Sequence, residues 1–167
     1  MPSEKTITMK GSSRETRDWA AYSLDNVGWA DLETYSTKVR GSLTVVESGH
    51  GIPFDINRIF YIYGTTKNCE RGAHAHHATW QAFIALNGRF SLELTDSRDY
   101  KRYSLKEPQR ALYVPPMIWA RLYDFSSDAV CLVLASSLYD AKDYIREWDQ
   151  YLALIDRVDL SQDGSTE

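Results

Sequence analysis

At 167 residues, 43% hydrophobic and 25% charged, the chain has apolar material for one domain with a real core. A net charge of −4, a pI of about 5.6 and the absence of any Lys/Arg run exclude the footprint of a nucleic-acid binder. No apolar stretch approaches the ~20 residues of a membrane span and the polar N-terminus has no signal-peptide core, so no membrane partner and a cytoplasmic location are expected.

Residues 1–30 are polar and without clean periodicity, and read as an extension in which Trp19, Tyr22 and Trp29 are available to dock on the domain. Residues 34–47, with Tyr35, Val39, Leu43, Val45 and Val46 broken at Arg40-Gly41-Ser42, predict two strands or one bent strand. Residues 56–63 form a strongly β-prone run ended by Gly64, on which Arg58 and Phe60 share the inward face while Tyr61 and Tyr63 take the other. Strand signals then continue over 80–86, 89–95, 100–105, 111–114, 118–125 and 129–135. Asn87-Gly88 and Ser126-Ser127-Asp128 read as hairpin turns. Short strands at this spacing predict an all-β sandwich or barrel. Asp140 is the expected N-cap of a single closing helix, with Asp143 in its first turn and an apolar stripe running from Leu138 through Tyr144, Ile145 and Trp148 to Ile155. Residues 159–167 read as a disordered tail, and Cys69 and Cys131, far apart and without CxxC companions, as free thiols.

The chemistry concentrates at Arg71-Gly72-Ala73-His74-Ala75-His76-His77, which holds three of the four histidines. In an extended strand His74 and His76 point to one face and His77 to the other, so two imidazoles enter one space with Arg71 just upstream. Such a pair suits metal binding or proton transfer near neutral pH. The segment fits the first motif of the cupins, whose fold is a double-stranded β-helix. Gln81, however, stands where a metal-binding cupin has Glu, and Ala120 where it has its third histidine. A two-histidine site with a neutral amide holds divalent metal poorly, so no metal or other cofactor is expected and the histidines are left to move protons.

From about residue 39 to 152 the chain resembles the nucleotide-sugar 3,4-ketoisomerases, metal-free cupins that act on dTDP-4-keto-6-deoxy-D-glucose. The resemblance is carried by Arg40-Gly41-Ser42-Leu43, Ile52-Pro53-Phe54, Arg58 with the run to Tyr63, Arg71-Gly72, His74-Ala75-His76, Leu86-Asn87-Gly88, Trp119, Asp124-Phe125-Ser126-Ser127-Asp128 and Asp143-Tyr144-Ile145-Arg146. It implies a cupin or jelly-roll barrel over 31–158 with a C-terminal helix, a dTDP-linked keto sugar as partner, and a homodimer that exchanges an N-terminal strand. It further implies an isomerase, an intramolecular oxidoreductase, which moves the ketone from C4 to C3 through an enediol in the synthesis of deoxyaminosugars for surface glycans such as the lipopolysaccharide O-antigen. His74 is then the main candidate base, His76 its partner in the relay, and Arg71 a group that holds substrate or offsets enediolate charge. Arg58, Phe60, Arg40, Gln81, Trp119 and Tyr61 are the implied substrate-binding residues, and Arg40-Gly41 resembles the galacto-forming members. Two departures stand out: family members often carry Tyr in place of Phe60 and His in place of Ala120. They keep a second reading open, a non-catalytic nucleotide-sugar-binding module.

Overall fold

The structure, a computed structural model, describes residues 23–162; most of the expected extension and the last residues of the expected tail lie outside it. Twelve strands and one α-helix occur among the described residues. Ten of the strands, β1 (Gly28–Asp31), β4 (Arg58–Ile62), β5 (Arg71–His76), β6 (Gln81–Asn87), β7 (Phe90–Thr95), β8 (Tyr100–Leu105), β9 (Arg110–Val114), β10 (Trp119–Tyr123), β11 (Val130–Ala135) and β12 (Tyr144–Ile145), form two facing sheets. One runs β1-β9-β6-β11-β4 and the other β12-β5-β10-β7-β8, with every pairing antiparallel. Strands β2 (Thr34–Thr37) and β3 (Gly41–Thr44) form a separate hairpin broken at Arg40-Gly41, the first of the two forms expected. No helix among the described residues is long and apolar enough to cross a membrane.

The sheets enclose the main core, in which Phe83, Phe90, Leu92, Leu94, Leu112, Leu122, Phe125 and Val133 are buried and Phe90 stacks on Phe125 at 5.6 Å. Two smaller clusters cover the outer faces. Ile52, Phe54 and Leu32 pack on the first sheet, and the helix α1 (Trp148–Gln162) packs on the second. Tyr151 fixes α1 there: fully buried, its hydroxyl donates to the carbonyls of Thr95 at 3.1 Å and Met117 at 3.0 Å.

Asn87-Gly88 and Ser126-Ser127-Asp128 are not hairpin turns. Strand β6 pairs with β11 and β9, and β7 with β10 and β8, so each turn carries the chain from one sheet to the other. The ribbon β6–β7 and the antiparallel ribbon β10–β11 thus bend together around the core, which is the double-stranded β-helix. The two corners are tied to each other. Asn87 donates to the Asp128 carbonyl at 2.8 Å, the Arg89 amide to Ser126 Oγ at 2.9 Å, and the Ser126 amide back to the Arg89 carbonyl at 2.9 Å. Local dipeptide preference reads a tight turn correctly but cannot say whether the strands on either side meet.

The expected extension is corrected at its C-terminal end, since Leu24 is buried in the main core and Gly28–Asp31 pairs along β9 as β1. Trp29 packs against this core edge-on to Tyr103, so the domain begins before residue 31. The closing helix is corrected too. Asp140 caps a 3-10 turn at Ala141–Asp143, accepting from the Lys142 amide; Tyr144 and Ile145 are then strand, and α1 starts only at Trp148. It continues to Gln162, into the segment expected to be tail.

Gly88 has a φ of +61°, and a Cβ there would fall 2.3 Å from Ser126 Oγ and 2.9 Å from Ala129 Cα. Left-handed backbone costs other residues about 1–2 kcal/mol before any clash. Gly88→Ala is therefore expected to lower the urea-unfolding free energy by about 2 kcal/mol or more; a loss within 0.5 kcal/mol would show that the paired corners carry little of the fold's stability.

Candidate active site

Strand β5 reaches the core through a bulge. Gly72 and Ala73 both have positive φ, 82° and 53°, and the register on β10 shifts so that Arg121 faces Gly72 and Ala120 faces His74. The extra residue turns the strand at this point. Gly72 is required there, because a Cβ would stand 2.9 Å from the Ala120 carbonyl oxygen. Ala120 belongs to the enclosed core, so its neighbour His74 enters from the same face, and His76 follows two residues on. The imidazoles lie 5.0 Å apart at 82°.

The 3-10 turn and β12 complete this edge. Tyr144 pairs opposite His76 on the ladder, and the Asp143 carboxylate before it collects three donors. The Ala78 amide reaches Oδ1 at 2.8 Å, while the Thr79 hydroxyl and His76 Nδ1, the latter at 2.8 Å, reach Oδ2. Burial pushes the Asp143 pKa up, but the hydrogen bonds from Thr79, His76 and Ala78 outweigh it and hold the group ionised, below its usual value. A carboxylate only accepts, so Nδ1 of His76 carries the hydrogen and Nε2 keeps its lone pair. Burial is also the main influence on His76; with help from His74 and Arg58 it outweighs the raising effect of Asp143 and brings the pKa down to about 4. For His74, burial again lowers the pKa, opposed by a hydrogen bond to the Gly72 backbone and reinforced by Arg146. Both imidazoles are neutral at pH 7, the form in which each accepts a proton.

The first sheet supplies the facing wall. Arg58, Ala135, Gln81 and Val114 form one row across β4, β11, β6 and β9, and Phe60, Val133, Phe83 and Leu112 the next. Val114 and the second row line the main core, so Arg58, Phe60 and Gln81 face inward. Arg58 Nε, His74 Nδ1 and His76 Nε2 are buried with no hydrogen-bond partner. Buried polar atoms are rarely left so, and three of them converging on one space mark a place built for a polar ligand. The arginines differ in a telling way. Arg102, Arg110 and Arg121 are each ion-paired to Glu or Asp on the surface. Arg58 lies over Phe60 at 5.3 Å and Tyr139 at 5.6 Å, Arg146 over Tyr144 at 4.3 Å, and neither has a carboxylate partner among the described residues. Two guanidinium charges are left for an anion. Among the described residues no three His, Cys, Asp or Glu side chains gather as a metal-ligand set.

His74, His76, Arg58, Phe60 and Gln81 thus come together. Trp119 does not: it faces out from β10, packed on Trp148 at 5.1 Å and Tyr151 at 5.4 Å under α1. Tyr61 is 63% exposed on the outer face of β4, its ring against Tyr63, because strand alternation carries it away from Phe60. Arg40 lies in the exposed β2–β3 turn, outside the cluster, and Arg71 is exposed at the start of β5, ahead of the bulge. Sequence reasoning missed Asp143, Tyr144 and Arg146 as site residues by enrolling them in a helix. The available signal was the β-prone pair Tyr144-Ile145 straight after a capped turn.

The family described as "FdtA: WxcM-like, C-terminal" matches residues 25–156. A curated relative from Aneurinibacillus thermoaerophilus, a TDP-4-oxo-6-deoxy-alpha-D-glucose-3,4-oxoisomerase, is 41% identical over 125 residues, 75% of this chain and 90% of its own. Among solved structures, the sugar 3,4-ketoisomerase QdtA of Thermoanaerobacterium thermosaccharolyticum in complex with TDP superposes with a TM-score of 0.78 at 37% identity, covering 81% of this chain and 98% of that one. The WlaRB TDP-quinovose 3,4-ketoisomerase of Campylobacter jejuni gives 0.74 at 37%, covering 78% and 99%.

An unfolded histidine takes up its proton as pH falls through about 6.5, whereas folded His76 resists until about 4. Between those values the unfolded chain binds more protons, so stability is full above pH 6.5 and falls towards pH 4, by roughly 3 kcal/mol if the whole shift acts. Urea titrations across this window are expected to show the decline, and His76→Asn to flatten it. Parallel slopes for the two proteins would mean that His76 is not buried neutral.

Proposed function

The chain belongs to the FdtA family of WxcM-like C-terminal domains, and from that membership and its two buried imidazoles we propose that it isomerises TDP-4-keto-6-deoxy-D-glucose to a 3-keto-6-deoxyhexose. Moving a ketone from C4 to C3 requires removal of the C3 proton, an enediol, and return of a proton to C4. One neutral imidazole with a free nitrogen takes the proton and the resulting imidazolium or its neighbour gives one back. The observation that carries this reading is the pair of unpartnered nitrogens, His74 Nδ1 and His76 Nε2, side by side in one buried space. His74 is the main base and His76, its tautomer fixed by Asp143, the partner in the relay. Arg58 meets the diphosphate, which its lack of a carboxylate partner among the described residues supports; Gln81 flanks the sugar.

The galacto product rests on Arg40-Gly41. A 3-ketone is a substrate for amino transfer, which supports a role for the step in amino-deoxysugar synthesis. The protein acts as a homodimer. Support comes from Tyr35 and Leu43, a cross-strand pair exposed at 58% and 60% on a hairpin too small to be stable alone, and from Ile59 and Tyr61, exposed on edge strand β4, with Tyr63 exposed just past its end. Sedimentation is expected to give twice the chain mass; a monomer at micromolar concentration would refute the dimer.

Ala120, a methyl group opposite His74, and Phe60, a ring without a hydroxyl, favour the binding-module reading. Proton exchange separates the two. In D2O the protein is expected to wash out the substrate's C3 hydrogen and move its carbonyl, both followed by NMR, and His74→Asn to lose at least 100-fold in rate. Exchange without migration would leave the base and remove the relay. TDP-sugar binding with no exchange at all would establish the module instead.

A further inference from the structure

The two sheets are not covered alike. Leu32, Ile52 and Phe54 close the outer face of the first, whereas α1 packs on β12, β5 and β10 of the second and leaves β8 open, with Tyr100 61% exposed. Tyr100, Thr95 and Trp119 form one row across β8, β7 and β10, turned away from the core because Leu94, next to Thr95, is buried in it. Trp148 begins α1 beside this row. Between them lies a cavity of about 190 Å³, completed by Glu93 and Arg121.

The cavity suits an uncharged aromatic group. Trp119 and Trp148 meet edge-on in its wall at 5.1 Å, and Tyr100 supplies a third ring. Its one acid, Glu93, is already matched by Arg102 at 2.7 Å and Arg121 at 3.0 Å, so it calls for no further cation. Carboxylate lone pairs remain there for an N–H donor, which an indole carries. A cavity of roughly 150 Å³ holds a benzene ring, so one of about 190 Å³ has room for an indole.

The chain outside the described residues joins the domain beside this cavity. Residues 1–22 lead into Ser23, and Leu24 is anchored at the same edge: its amide donates to the Asp96 carboxylate at 3.5 Å, and Lys101 Nζ donates to its carbonyl at 3.2 Å. Asp96 follows Thr95 and Lys101 follows Tyr100, so the segment starts at the cavity's rim. Trp19 precedes Leu24 by five residues. That is about 17 Å of extended chain, more than the roughly 10 Å between packed sheets. Tyr22, two residues before Leu24, reaches only about 7 Å. We propose that Trp19 occupies this cavity on its own chain, so that the N-terminal segment straps the start of α1 to β7 and β8. The helix so held is the one whose Tyr151 fixes Met117.

The test uses the full chain. Arg102 is exposed on the same sheet face, and Cys131 is buried and does not compete for thiol reagents. With Ala20→Cys and Arg102→Cys in a Cys69→Ser background, a short bismaleimide is expected to cross-link within one chain, and adding Trp19→Ala to slow that reaction about tenfold or more. No cross-link, or an equal rate without Trp19, would overturn the docking. A cross-link joining two chains would place Trp19 in a second copy and overturn it too. Thermal midpoints give an independent check. Trp19→Ala and Tyr100→Ala are each expected to lower the midpoint by about 5 °C, and together by little more than either alone, since both remove one contact. An unchanged midpoint in Trp19→Ala, or losses that add in full, would put Trp19 elsewhere and overturn the proposal.

Discussion

A single half-buried carboxylate organises one edge of this protein. Asp143 is ionised, and its three hydrogen bonds come from the short connection that leads out of β5: the imidazole of His76, the amide of Ala78 and the hydroxyl of Thr79. The His77 amide adds a fourth tie, to the Asp143 carbonyl at 2.9 Å. A buried charge is tolerated only when it is satisfied in this way, so the loop, the imidazole and the 3-10 turn hold one another. The same carboxylate decides which nitrogen of His76 is free. Structure and chemistry depend on one group.

Around it the fold keeps the site rigid from several directions. The Met117 amide donates to the His76 carbonyl at 2.8 Å, and the Met117 carbonyl accepts from Tyr151 of α1. The helix is thus connected through one turn to the backbone of a site histidine. The bulge at Gly72-Ala73 fixes the other histidine against Ala120. Across the core, Arg58 is held by aromatic faces rather than by an acid, which orients the guanidinium and leaves its charge available.

How much of this the amino-acid sequence discloses follows from the range of each interaction. Period-two alternation on residues 56–63 reveals Arg58 and Phe60 inward and Tyr61 outward, because side-chain direction along a strand is a local property. His74 and His76 are legible for the same reason. The bulge that aims them is not, since it exists only against β10. Asn87-Gly88 discloses a turn but not its partners, and sheet membership is decided by strands far along the chain. Residues 138–155 mislead because three- and four-residue steps arise from two elements in series, a strand pair on β5 and then α1, each burying apolar side chains on the same sheet. Trp119 misleads for another reason: the resemblance implies that it binds substrate, yet alternation and the helix above it make it outer packing.

Because Asp143 follows β11, the last strand of the two ribbons, the order of synthesis has a consequence. A chain leaving the ribosome exposes both ribbons, and with them the strands of its main core, before the carboxylate that sets the His76 tautomer has emerged. The nascent barrel therefore holds His76 without its carboxylate, and that pairing arrives only with the final segment. Translation itself delays activity until folding is nearly done.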